Sequence, residues 1–263
     1  MYAFLPGIIA FVFYALGSFY LAQGLTTDKD NRGKVLLCGL IAAVPHFLSL
    51  FLLIRTAAGY DFGFFKIASL LCWTIAVIVL LSSLKKPLEN LFLVLFPLAG
   101  ISIILSMIPD SSYTPHSEYT EGVAAHILLA ILAASIITIA ALQAMFLAFQ
   151  NYQLKHMQSL RVISHLPPLQ TMEALLFEIV WVGLLLLSAV IITGILFMDD
   201  FFAQHLTQKT VLSIVAWVVF VTLLWGRHKM GWRGNTAIRW TLAGFAFLVL
   251  SYFGSKIILD LTY

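Results

Sequence analysis

Long apolar runs separated by short polar stretches set the pattern of this chain. A helix needs about 20 mostly apolar residues to cross the hydrocarbon core of a bilayer. Eight segments qualify: 3–24, 35–56, 63–84, 90–108, 122–150, 174–198, 209–226 and 237–259. The fifth is long enough to continue into water past Gln150, and Pro167-Pro168 should end that extension before the sixth helix begins. Pro45 should bend the second helix one residue before His46, and Pro97 interrupts the fourth. The links are short except 109–121 and 151–173. The pattern predicts an all-α polytopic membrane bundle of eight transmembrane helices, organised as a single integral membrane domain over 1–263. No cleavable signal peptide is expected, since no basic stretch precedes the first apolar run.

Composition sharpens this picture. Hydrophobic residues are 61% of the chain and charged residues 10%, with a mean hydropathy of +0.99. Ordinary soluble domains are about a quarter charged, so a water-exposed globule is excluded. A net charge of +3 is too small to imply nucleic acid as a partner. The basic residues instead divide by side. Lys29, Arg32, Lys34, Lys85, Lys86, Lys155, Arg161, Arg227, Lys229, Arg233 and Arg239 fall in one set of alternate links or helix ends. Only Arg55, Lys66, Lys209 and Lys256 fall in the other. The positive-inside bias then puts the first set in the cytoplasm and both termini outside. Asp61, Asp110, Glu118, Glu121, Asp199 and Asp200 lie on the outer side, in agreement. Cys38 and Cys72 sit within apolar segments without pairing or zinc-type spacing, and no Cys-x-x-Cys-His occurs.

Ionisable residues within spans default to functional candidates. His46 and His126 meet that description, both toward the outer half of their helices. His126 shares a helical face with Ala130, Ala133, Ala141 and Ala144, a small-residue stripe suited to helix packing, so its ring should point into the bundle. Two inward imidazoles are candidate axial ligands for haem iron, as in b-type cytochromes. The plain alternative is one hydrogen bond from each ring to a neighbouring helix. His116 and His205 are outer-loop candidates, while His156, His165 and His228 read as interfacial residues of the cytoplasmic side. Lys209 opens the seventh helix, where it either snorkels or faces an anion such as a propionate. Trp217 is mid-helix and a candidate pocket residue. Trp225, Trp232 and Trp240 read as belt anchors, and Glu173 and Glu178 as partners for Arg161 or Arg233. No nucleophile elbow, Ser-His-Asp set or phosphate loop occurs, so no catalytic residue is assigned and enzymatic activity is not expected.

Several ordered segments resemble the cytochrome c assembly superfamily (the CcsA/CcmC/HemX proteins), and within it the YpjD-like inner-membrane branch. They are His126-Ile127-Leu128-Leu129 with Ala140-Ala141-Leu142-Gln143-Ala144, Leu166-Pro167-Pro168-Leu169 with Met172-Glu173, and Thr193-Gly194. Lys209-Thr210-Val211-Leu212-Ser213 with Ala216-Trp217, Trp225-Gly226-Arg227, Gly231-Trp232-Arg233-Gly234 and Tyr252-Phe253-Gly254 complete the set. The resemblance implies a family core over about 63–258. It also implies haem b, held without a covalent bond at the outer face, with His126 at the position of the family's core-helix histidine and His46 matching a helix-two histidine. The family's tryptophan-rich haem loop maps onto 195–208, which contains no Trp. His205 lies in that stretch and Gln208 directly precedes Lys209.

The expected function is therefore a haem-binding, haem-presenting protein of the bacterial inner membrane. Its ligand candidates are His46 and His126, and His205, Lys209 and Trp217 are secondary contacts. Its expected partners are haem, the lipid bilayer, and an apocytochrome or another membrane protein. The alternative is a haem-free adaptor regulating a partner transporter or enzyme.

Overall fold

The computed structural model describes residues 3–27, 30–56, 59–108, 121–156, 166–197 and 204–262, with residues 25, 121, 204–207 and 252–262 described by backbone alone. The helices are α1 (Phe4–Thr27), α2 (Arg32–Ile54), α3 (Phe64–Ser83), α4 (Phe92–Ser106, entered through a 3-10 turn at Glu89–Leu91), α5 (Glu121–His156), α6 (Leu169–Phe197), α7 (Gln204–Met230) and α8 (Asn235–Thr262). Among the described residues, seven helices are long and apolar enough to cross a membrane. The chain is an all-α membrane helical bundle. Every predicted segment is a helix, and most run further than hydropathy alone indicates. α5 has 36 residues, about 54 Å at 1.5 Å per residue against a core of about 30 Å, so its polar end extends beyond the hydrocarbon.

Contacts divide the chain into two compact units, Met1–Tyr119 and Thr120–Tyr263. In the first, α1 packs on α2 and α4, and α3 packs on the same two helices. Phe96 fills the middle of this unit, with its ring centroid 5.5 Å from Tyr14 and 4.6 Å from Phe92. Gly39 makes room for it. A Cβ there would lie 2.6 Å from Leu80 Cδ2 and 2.8 Å from Phe96 Cζ, the close approach that small residues give membrane helices. Gly39→Val should therefore lower the stability of the protein in detergent by about 1–3 kcal/mol through overpacking. A thermal scan that matches wild type would sink that expectation.

At the end of this unit rich in basic residues, Arg32 donates to Glu89 at 2.6 Å and to the Ser83 carbonyl at 2.8 Å, pinning α2 to the α3–α4 link. At the other end a two-residue antiparallel ladder, Arg55–Thr56 against Gly59–Tyr60, appears in the α2–α3 link. No alternating pattern marks it in the sequence. Lys66, read from sequence as an outer-side charge, is in the first turn of α3, buried, and paired with Asp61.

In the second unit α5 packs on α6 and α8, and α7 packs on α6 and α8, which closes a four-helix arrangement. Its core joins Ile137, Ala144 and Leu147 of α5 to Met172, Leu176 and Val180 of α6, Ala216 and Phe220 of α7, and Ala237 of α8. The basic stretch between the last two spans is mostly helix. The turn itself is only residues 231–234, with Gly231 at φ +67° and Gly234 at φ +51°. The Gly234 amide donates to Glu173 Oε2 at 3.0 Å, and Arg227 donates to Glu173 Oε1 at 3.0 Å. Arg227 also lies over the Phe177 ring, 4.5 Å from its centroid. Glu173 thus pairs chiefly with Arg227, while Arg233 stands off at 3.8 Å. Arg161 lies outside the described residues. Trp232 stacks on Trp240 at 5.3 Å, and Trp225 remains exposed, as a headgroup anchor requires.

Candidate functional site

Of the candidate residues, His126 and Lys209 lie toward the end of the second unit where α5 and α7 begin and α6 and α8 end. His126 is five residues into α5, about 7.5 Å along the axis, and Thr193 lies four residues, about 6 Å, before the end of α6. The antiparallel pairing of these helices brings the two level. His126 Nδ1 is 3.0 Å from Thr193 Oγ1. The Ala stripe on α5 explains the ring's direction, because Ala133, Ala141 and Ala144 are all buried. The Thr193 hydroxyl donates to the Ala189 carbonyl of its own helix at 2.8 Å and lies 3.1 Å from that of Val190.

Five residues earlier on α6, about 7.5 Å deeper, Ser188 repeats the arrangement. Its hydroxyl donates to the Leu184 carbonyl and accepts from Trp217 Nε1, each at 2.8 Å. Trp217 is partly buried against the core, so α7 is tied to α6 below the level of His126. Near the start of α7, Lys209 is exposed, and its carbonyl accepts from Ser251 of α8 at 2.9 Å. Ser251 and Ser213 stand 3.2 Å apart. His205 falls in the first turn of α7, but its side chain lies outside the described residues, as do His116, His165, Asp199 and Asp200.

His46 has different surroundings, within the first unit. It is fully buried. Its Nδ1 is 3.2 Å from the Tyr14 hydroxyl of α1 and its Nε2 is 3.0 Å from Ser69 Oγ of α3. Ser102 of α4 donates to Ser69 at 3.4 Å. Tyr14 meets the ring edge-on, with centroids 5.7 Å apart. Each partner is a hydroxyl able to donate or accept, so either tautomer satisfies both ring nitrogens. For His46 to bind iron, one of these hydrogen bonds has to break. His126, held through Nδ1 by Thr193 with the Val190 carbonyl also in hydrogen-bonding reach of the ring, suits a haem iron better, since a metal-binding imidazole typically engages its other nitrogen with a neighbouring acceptor.

Tyr14, Ser69, Ser102, Ser188 and Thr193 were not singled out as site residues from the sequence. Hydroxyl residues are common in spans, and nothing in a linear pattern says which of them meets a histidine on another helix. Thr193 did stand within a motif, as Thr193-Gly194, without a role.

The family described as cytochrome C assembly protein matches residues 35–261. The chain belongs to that family. The match takes in both histidines, Lys209 and Trp217. The chain is 31% identical over 257 residues, 97% of each chain, to the inner membrane protein YpjD of Escherichia coli strain K12. An uncharacterized 28.8 kDa protein of Azospirillum brasilense is 27% identical over 137 residues, 51% of each chain. No solved structure matches the chain significantly.

Proposed function

We propose that this chain is a haem-handling membrane protein of cytochrome c assembly, which binds haem b non-covalently at the end of the second unit and presents it to a partner. The single observation that carries the reading is His126, an imidazole near one end of a helix bundle, held through Nδ1 by a neighbouring threonine. Haem bound there would supply an iron able to accept an imidazole nitrogen, and His126 Nε2 is the nitrogen that would hold it. Exposed Lys209, in the second turn of α7 at the same end, supplies a cation for a propionate. His205, one turn earlier, is the next candidate contact. The part-buried tie between Trp217 and Ser188 lies below His126.

The excess of Lys and Arg at the opposite end supports an outward-facing haem end in an inner membrane, where an apocytochrome or another membrane protein receives the haem. The chain's own residues bind and orient, and no covalent reaction is assigned to them. His46 serves this reading as a packing residue of the first unit.

The test is an optical titration of the purified protein in mild detergent with added haem, oxidised and dithionite-reduced. Wild type should develop a saturable Soret band at one haem per chain, and His126→Ala should lose it while keeping its helical circular-dichroism signal. A wild-type protein that takes up no haem overturns the proposal and leaves the haem-free adaptor as the leading reading.

A further inference from the structure

Two hydroxyls of α6 follow one rule. Ser188 and Thr193 each donate their single proton to a carbonyl one turn back on α6, the usual choice of Ser and Thr within a helix. What each then offers to other helices is an acceptor lone pair. Trp217 Nε1–H, which can only donate, takes the one on Ser188. His126 Nδ1 takes the one on Thr193. With the Thr193 proton already engaged, its contact with His126 is a hydrogen bond only if Nδ1 carries the hydrogen.

We propose that Thr193 is a positioning residue that fixes the tautomer of His126, holding the proton on Nδ1 and leaving the Nε2 lone pair as the donor toward a metal porphyrin. The proposal rests on the reading of His126 as the haem ligand, and it adds the residue that makes the ligand competent. A neutral imidazole in water exchanges its proton between both nitrogens, and the form with Nε2–H presents no lone pair there. An acceptor aimed at Nδ1 disfavours that form and also fixes the ring plane, which is what partners behind metal-ligating histidines do elsewhere. The Val190 carbonyl also reaches the ring, and Thr193→Val leaves it in place, so the variant isolates the share of the threonine. The acceptor is well anchored, because the two carbonyls facing the threonine hydroxyl leave its lone pair turned to α5.

Two variants separate this role from packing. Thr193→Val keeps the shape and removes the acceptor, whereas Thr193→Ser keeps the acceptor and removes a methyl. The haem-independent readout is the side-chain nitrogen spectrum of protein labelled with 15N-histidine, with the His126 signals assigned by their loss in His126→Gln. Wild type and Thr193→Ser should show a protonated Nδ1 and an unprotonated Nε2. Thr193→Val should shift the population toward protonated Nε2 and weaken haem affinity about tenfold to a hundredfold in the optical titration, with Thr193→Ser close to wild type. An unchanged His126 tautomer in Thr193→Val overturns the inference, even if haem still binds. A wild-type protein that binds no haem but shows the tautomer shift overturns the haem reading and leaves the Thr193–His126 lock standing.

Discussion

Glu173→Ala should be among the most damaging single substitutions in the second unit, with an expected loss of about 3 kcal/mol in the free energy of unfolding. The carboxylate is only 12% exposed and holds three elements together: from the early turns of α6 it accepts from the Gly234 amide of the α7–α8 turn and from Arg227 of α7. Removing it leaves the Arg227 guanidinium partly buried over Phe177 without its counter-charge. Breaking one side of a buried pair costs about 3–5 kcal/mol, and the low end applies because the Arg227 side chain is 29% exposed. The tight turn adds to the effect, since the amide that Glu173 satisfies belongs to a glycine held at positive φ.

Neighbouring substitutions should rank accordingly. Glu173→Gln retains an acceptor for Gly234 and loses only the charge, so a smaller loss, on the order of 1–2 kcal/mol, is expected. Arg233→Ala should cost less than about 1 kcal/mol, because that side chain is 73% exposed. Equilibrium unfolding in mild detergent gives the ranking. Equal losses for Arg227→Ala and Arg233→Ala would show that the site is ordinary surface electrostatics and not a buried latch.

His46→Ala should destabilise the first unit by about 2–4 kcal/mol. The imidazole is fully buried, and its removal opens a cavity between α1, α2 and α3. It also leaves the Tyr14 and Ser69 hydroxyls unmatched. Tyr14→Phe deletes one of the same hydrogen bonds but keeps the packing, and should cost only about 0.6 kcal/mol, the usual size between membrane helices. The contrast separates a structural histidine from a ligand. If His46→Ala is as stable as wild type and loses haem, then His46 is an iron ligand and the hydrogen bonds seen here give way on binding. If it is unstable while residual folded protein still takes up haem, the packing role stands.

Much of the fold was legible because membrane spans are written in length and hydropathy. A run such as 174–198 has no alternative to a helix in hydrocarbon, where every backbone polar group needs an internal partner. The ends of the spans were less legible. α6 begins at Leu169 and α7 continues to Met230, since polar residues such as Glu173 and Arg227 break the hydropathy pattern without breaking the helix. The inward direction of His126 was legible too, because alanines at helical spacing mark the packed side of α5.

The site separated differently. Sequence determined which residue types the bilayer could hold only if they were partnered, and so singled out His46 and His126. It also determined membership of the family, through the order of weak motifs along the chain. Which partner each histidine has was decided by tertiary structure alone. His46 meets hydroxyls from two other helices and is used on both nitrogens, whereas His126 meets α6 alone among these contacts, through Thr193, 67 residues away in the chain, and the Val190 carbonyl beside it. Hydropathy reports the cost of leaving water, which each residue pays by itself. A hydrogen bond between helices depends on the rotation and depth of two of them together, and only the packed bundle fixes both.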